Sequence, residues 1–173
     1  MNDLKAQAQA AIDAEGRRNG AGSASGNGHP PNLVLRNLAE VSPEEVKWLW
    51  RPYLPLGKLS LLEGDPGVGK SYVTLALATH VSLGKGLPGV DPTEPGPVLI
   101  ASAEDGLGDT IRPRLDAMEA DVRLITAIDS PFTLDEAGCL ALETHIAYLK
   151  PKLLIIDPLV AYVGSFVDIH RSN

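Results

Sequence analysis

Residues 64–71 read Gly64-Asp65-Pro66-Gly67-Val68-Gly69-Lys70-Ser71, and this octapeptide decides the fold. It fits the spacing Gly-x4-Gly-Lys-[Ser/Thr] of a phosphate-cradling P-loop. Gly64, Gly67 and Gly69 permit backbone conformations that turn successive amide N–H groups inward toward an anion. A helix that follows directly presents its positive N-terminal end to the same anion. Lys70 supplies a mobile point charge for the β- and γ-phosphates, and Ser71 offers a hydroxyl to Mg²⁺. Asp65, Pro66 and Val68 complete the loop without needing to touch the phosphates. The stretch predicts an Mg-ATP site, provided that a strand precedes it and a helix follows.

Both flanks read that way. Upstream, Leu59–Glu63 is a short apolar run expected to be a strand. Downstream, residues 70–83 are expected to form a helix with Val73, Leu77 and Val81 on one face. A Gly/Pro-rich loop over 84–97 is long for a compact domain. Val98–Ser102 has the continuous apolar character of a buried strand. A helix is expected over 110–119, with Pro113 early enough to be tolerated, then a strand over 122–126. Thr133-x-x-Glu136 has the form of a capping box for a helix reaching Lys150, with Leu142, Ile146 and Leu149 inward. Leu153–Ile156 is a last apolar strand ending at Asp157. Strands alternating with helices predict an α/β fold, a parallel sheet with helices on both faces.

Further upstream, Ser42-Pro43-Glu44-Glu45 also has capping-box form and predicts a short helix through Trp48–Trp50, ended by Pro52. Residues 1–32 read as a disordered tail or linker, because Gly, Ser, Asn and Pro accumulate over 16–31 with little to bury. The folded domain is expected to span 33–173.

Composition narrows the function classes. The 173 residues are 44% hydrophobic and 21% charged, as in a globular domain. No run approaches the roughly 20 uncharged apolar residues of a membrane helix, and no secretory leader is visible at the N-terminus. One cysteine, Cys139, cannot form an internal disulfide and is expected to be a small buried hydrophobe. Together these point to a cytoplasmic protein. A net charge of −7 argues against a generally basic nucleic-acid surface, although acidic ATPases can still engage DNA through a few loops. The four histidines lack metal-ligand spacing.

Two acidic positions complete the candidate site. Asp157, closing an apolar strand, is where a carboxylate holding Mg²⁺ is expected beside a P-loop. Glu104 and Asp105 follow the Val98–Ser102 strand, outside whose C-terminal end ligands of such sheets gather. Either could orient and deprotonate an attacking water, or simply cap a helix. Arg112 and Arg114 are expected on a solvated helix face, and Trp48, Trp50 and Tyr53 against a sheet edge rather than on adenine.

Together, Gly57–Ser71, Gly84-Lys85-Gly86-Leu87-Pro88-Gly89, Ser102-Ala103-Glu104-Asp105-Gly106, Thr110–Leu115 and Leu154-Ile155-Ile156-Asp157-Pro158-Leu159 resemble the RecA-like P-loop ATPase domain of the RepA-type replicative helicase and primase–helicase (AAA) family. The resemblance covers roughly residues 40–173. It implies Glu104 as the catalytic glutamate, Asp157 as the Walker B aspartate, ATP and Mg²⁺ as ligands, a homo-hexameric ring and single-stranded DNA in its channel. It implies a helicase-type ATP hydrolase acting in plasmid, phage or mobile-element replication. The family's domain continues past Walker B with a γ-phosphate-sensing strand, DNA-binding loops and an arginine finger. None of these is read here, so the resemblance is to the N-terminal portion of such a domain, truncated after the Walker B strand. That leaves a second reading, a nucleotide-binding fragment without turnover that has an interaction or regulatory role. A small-molecule kinase is disfavoured because no arginine-rich lid lies between the P-loop and Asp157.

Overall fold

The computed structural model describes residues 34–163. The tail expected over 1–32 lies outside them. The chain divides into two units, Met1–Pro43 and Glu44–Asn173. In the first, the described residues hold one 3-10 turn, Leu38–Glu40, whose cap residue Asn37 accepts a hydrogen bond from the Ala39 amide through its side chain.

The second unit is built on three parallel strands: β3 (Val98–Ser102), β4 (Ile125–Ala127) and β5 (Leu153–Asp157), in the order β4-β3-β5. The central strand β3 is apolar from Val98 to Ala101 and buried over those four residues, as a strand covered on both faces must be. It pairs with β5 over five consecutive positions, from Val98 opposite Leu153 to Ser102 opposite Asp157, and with β4 over three. This is the α/β arrangement of a P-loop NTPase.

Helix α1 (Lys70–Leu83) packs on β3 and β5 and on the short helix α2 (Arg112–Ala117). The core gathers Leu75, Ala78 and Val81 of α1, Val98 and Ile100 of β3, Ile111, Leu115 and Ile155. The buried face of α1 is therefore centred on Leu75 and Ala78, not on Val73 and Leu77. Val73 is exposed and Leu77 half-buried, whereas Val81 is buried as expected. Apolar residues lie nearly all round this helix, so spacing alone did not choose the face. Helix α1 ends at Gly84, whose φ of 65° is the left-handed cap conformation that glycine adopts without a Cβ penalty. No helix or strand interrupts residues 84–97 before β3 begins.

Ile100 is 2% exposed at the centre of this core. Ile100→Ala is expected to destabilise the domain by about 2–5 kcal/mol. Urea unfolding would register this as a lower midpoint at unchanged m-value, and an unmoved midpoint would contradict the core assignment.

Several expected elements differ. Trp48–Trp50 is not a helix but strand β1, paired antiparallel with β2 (Leu54–Pro55). Residues 42–47 are irregular, so the Ser42 capping signal starts nothing. Aromatic residues around a proline turn favour a hairpin, and Tyr53 N–H donates to the Trp50 carbonyl across it at 2.7 Å. The Trp50 ring stacks tilted on Tyr53 at 4.9 Å. Its indole N–H donates to the Pro88 carbonyl at 3.0 Å, and Leu49 packs against the core.

Residues 59–63 are likewise not a strand. They run as irregular chain, with Leu59 91% exposed and Leu61 and Leu62 exposed as well. A strand needs a ladder partner, and among the described residues β5 pairs only with β3. The segment 110–119 resolves into a π-turn, Leu107–Ile111, followed by α2, with Pro113 in its first turn as expected. Residues 122–126 become a 3-10 turn, Val122–Leu124, and strand β4 shifted to Ile125–Ala127. Helix α3 (Glu136–Leu149) is capped by Asp135 rather than Thr133. The Asp135 carboxylate accepts from Gly138 N–H at 2.8 Å and from the Thr133 hydroxyl at 2.6 Å. These bonds, the Thr133 one foremost, hold its pKa below the usual carboxylate value. Leu142, Ile146 and Leu149 are half-buried, as is Cys139. Among the described residues, no helix is long and apolar enough to cross a membrane.

Candidate functional site

The octapeptide of residues 64–71 forms a loop that opens α1. Gly69, immediately before the helix, has φ 90° and Gly67 has φ 78°. An added Cβ would meet nothing within 4 Å at either position, so glycine is required there for its dihedral angle and not for space. Because Gly69 offers no capping side chain, the first amides of α1 face the loop unsatisfied, the arrangement that suits an anion. The Lys70 ammonium curls back over the loop. It donates to the carbonyls of Gly64 and Asp65, each at 2.8 Å.

The C-terminal end of the sheet supplies the acids. A cleft there is lined by Ser71, Thr74 and Leu75 of α1, Ser102, Asp105 and Asp157. Ser71 and Asp157 thus share one cleft. The β3–β5 register puts Ser102 opposite Asp157. One residue on, the Ala103 amide donates to the Asp157 carbonyl at 3.1 Å. Ser102 Oγ accepts from the Asp105 amide at 3.3 Å, closing a turn over 102–105.

The two acids of that turn differ. Asp105 is half-buried and accepts from Arg114 Nη1 at 2.9 Å. Glu104 is exposed and has no ion-pair partner among the described residues. Position alone left both acids open and the family resemblance singled out Glu104; in the structure Asp105 is the one paired with a cation among the described residues. Arg114 was expected on a solvated face and is instead half-buried, its guanidinium 5.5 Å from the centre of the Tyr72 ring. No periodicity signals that contact, because it joins residues from three separate elements. Arg112 does lie on a surface, paired with Asp116 one turn on.

Beyond β5, Tyr162 is buried and stacks on Phe132 at 4.6 Å. Burial, and after it the negative charge of Asp157, push its phenol above its ordinary pKa.

Three described features fit a magnesium nucleotide: a loop with free amides, an ammonium on exchangeable carbonyls, and a hydroxyl and carboxylate in one cleft. Among the described residues, no three histidine, cysteine or acidic side chains cluster to hold a metal by themselves. Magnesium does not need such a cage, since it commonly takes one or two protein oxygens plus phosphate and water.

A family model described as an AAA domain matches residues 28–172. The chain belongs to the AAA domain family. It is also similar to the DNA repair protein RadA of Streptococcus pyogenes serotype M3, in two strains, at 33% identity over 104 residues. The match covers 60% of this chain and 19% of the relative, so the chain spans about a fifth of the length of the curated relatives it matches. No solved structure matches. Family and fold together give this chain the RecA-like P-loop NTPase architecture.

Proposed function

We propose that the site binds Mg-ATP and hydrolyses it as part of a DNA-dependent motor of the replicative-helicase type. The observation that carries this reading is the single cleft lined by Ser71 and Asp157 beside the loop of residues 64–71. In it, the amides of Gly64, Asp65, Gly67, Val68 and Gly69 hold the phosphate chain, Pro66, which has no N–H, shapes the loop, and Lys70 leaves its carbonyl acceptors for the β- and γ-phosphate oxygens. Ser71 and Asp157 hold the magnesium ion, which offsets phosphate charge when bound. Glu104 accepts a proton from the attacking water. The water oxygen forms a bond to the γ-phosphorus, the bond to the bridging oxygen breaks, and ADP departs with the electron pair. The exposed Glu104 side chain, without an ion-pair partner among the described residues, supports its assignment as base; the ion pair of Asp105 argues against that residue in the same role.

A DNA partner is supported by the RadA similarity. A homo-hexameric ring, cytoplasmic location and an ATPase domain over 33–173 preceded by a linker over 1–32 belong to the same reading. The second reading, nucleotide binding without turnover, is favoured by one observation: residues 59–63, which lead into the loop, are exposed and join no strand ladder among the described residues.

Turnover of Mg-ATP by the purified chain, with and without single-stranded oligonucleotide, decides between them. Hydrolysis that rises several-fold with DNA and falls with salt is the expected result, since phosphate contacts are salt-dependent. ATP binding with no hydrolysis under either condition would select the second reading.

A further inference from the structure

We propose that Arg114 is a positioning residue for Glu104, acting through Asp105 and held in its orientation by the ring of Tyr72. This rests on the hydrolytic reading of the site.

Three ion pairs occur among the described residues, and they are not equivalent. Both other pairs are local: Arg112–Asp116 is exposed at both ends, and in Arg123–Asp121 the arginine is 86% exposed although Asp121 is 22%; pairs with an open cation contribute little. Arg114–Asp105 joins α2 to the turn after β3, with both side chains only about 30% exposed (31% and 30%). The same guanidinium lies over Tyr72, which directly follows Ser71 in the first turn of α1. Cations over an aromatic face within about 6 Å are attracted by the ring quadrupole. A continuous path of contacts therefore runs from the residue beside Ser71, through Arg114, to the residue beside Glu104.

Two other restraints already hold the turn: the Ala103 amide on the Asp157 carbonyl and the Ser102 hydroxyl on the Asp105 amide. Both act on backbone at or before Asp105. The Arg114 pair is the side-chain restraint that ties the turn to helix α2. It also occupies Asp105, which keeps a second free carboxylate from competing with Glu104 for the same water or proton. Loss of the pair leaves Glu104 present but loosely aimed, and misplacement by about 1 Å can cost on the order of 100-fold in rate.

The test measures steady-state hydrolysis, and equilibrium binding of a fluorescent ATP analogue with magnesium, for the whole chain and four variants: Arg114→Gln, Arg114→Lys, Asp105→Asn and the Arg114→Gln/Asp105→Asn pair. Arg114→Gln is expected to lower kcat about 10- to 100-fold with the nucleotide Kd unchanged within about twofold. Arg114→Lys should restore part of the loss. The double variant should be no slower than the worse single one, as for residues acting as one unit. An unchanged kcat in Arg114→Gln overturns the proposal. So does a parallel loss of kcat and affinity, which would make Arg114 a nucleotide contact. Should Arg114→Gln fail to fold, judged by its thermal midpoint, Asp105→Asn carries the same comparison. A wild-type chain that binds but does not hydrolyse defeats the hydrolytic reading instead. In that case, amide exchange over 103–106 decides whether Arg114 holds the turn: about tenfold faster exchange in Arg114→Gln supports positioning, and unchanged exchange overturns it.

Discussion

Lys70→Ala is expected to raise the Kd for Mg-ATP by roughly 100-fold and to remove measurable turnover. The ammonium is already over the phosphate loop, bonded to the carbonyls of Gly64 and Asp65. Neither acceptor is charged, so an arriving phosphate replaces both bonds with ones in which donor and acceptor both carry charge. A hydrogen bond to a charged group contributes about 1.5–3 kcal/mol, which corresponds to roughly 10- to 150-fold in affinity. Titration with a fluorescent ATP analogue reads the loss directly. Thermal unfolding gives a second view: wild type at 100 times its Kd should gain about 2.7 kcal/mol from the nucleotide, and the variant should gain almost nothing. Retention of affinity in Lys70→Ala would mean that the loop does not cradle phosphate.

Glu104→Gln should separate chemistry from binding. The amide matches the carboxylate in size but cannot take a proton from water, and general-base catalysis is typically worth about 10²–10⁴-fold. kcat is therefore expected to fall within that range while the Kd for Mg-ATP stays within about twofold. Because Glu104 is exposed and makes none of the described ion pairs, the substitution should leave the thermal midpoint in place. Rapid quench of a single turnover distinguishes a slowed chemical step from slowed product release. Full-speed hydrolysis in Glu104→Gln would shift the base assignment elsewhere, with Asp105 the first candidate.

The parts of the fold that were legible share a property. The Gly64–Ser71 loop, α1, β3, β5 and the body of α3 are each specified by local sequence, through turn chemistry or an uninterrupted apolar run. Local sequence also located Ser71 at the end of the loop and Asp157 at the close of β5, and the two line one cleft. The failures arose where partners decide. Ser42-Pro43-Glu44-Glu45 has every local mark of a helix start, yet Trp48–Trp50 pairs with Leu54–Pro55 instead. Leu59–Glu63 has strand composition, but pairing depends on a neighbour that its own residues cannot supply. Thr133 was expected as the cap of α3, but the cap is Asp135, whose carboxylate accepts from the Gly138 amide at 2.8 Å. Arg114 was illegible because its three-way contact with Asp105 and Tyr72 exists only after α1, β3 and α2 have packed.

The alignment of β3 with β5 limits where the chain can change length. Five successive pairs carry Ser102 to its place opposite Asp157, and side chains alternate faces along a strand. Deleting one residue inside β5, for example Ile155, with Leu153 still anchored opposite Val98, would set Asp157 opposite Ala101 and turn its carboxylate to the other side of the sheet. The connection over 128–135 and the loop over 84–97 carry no such constraint. Insertions should accumulate in those connections among sequences that keep the site, while the five-residue length of β5 stays fixed.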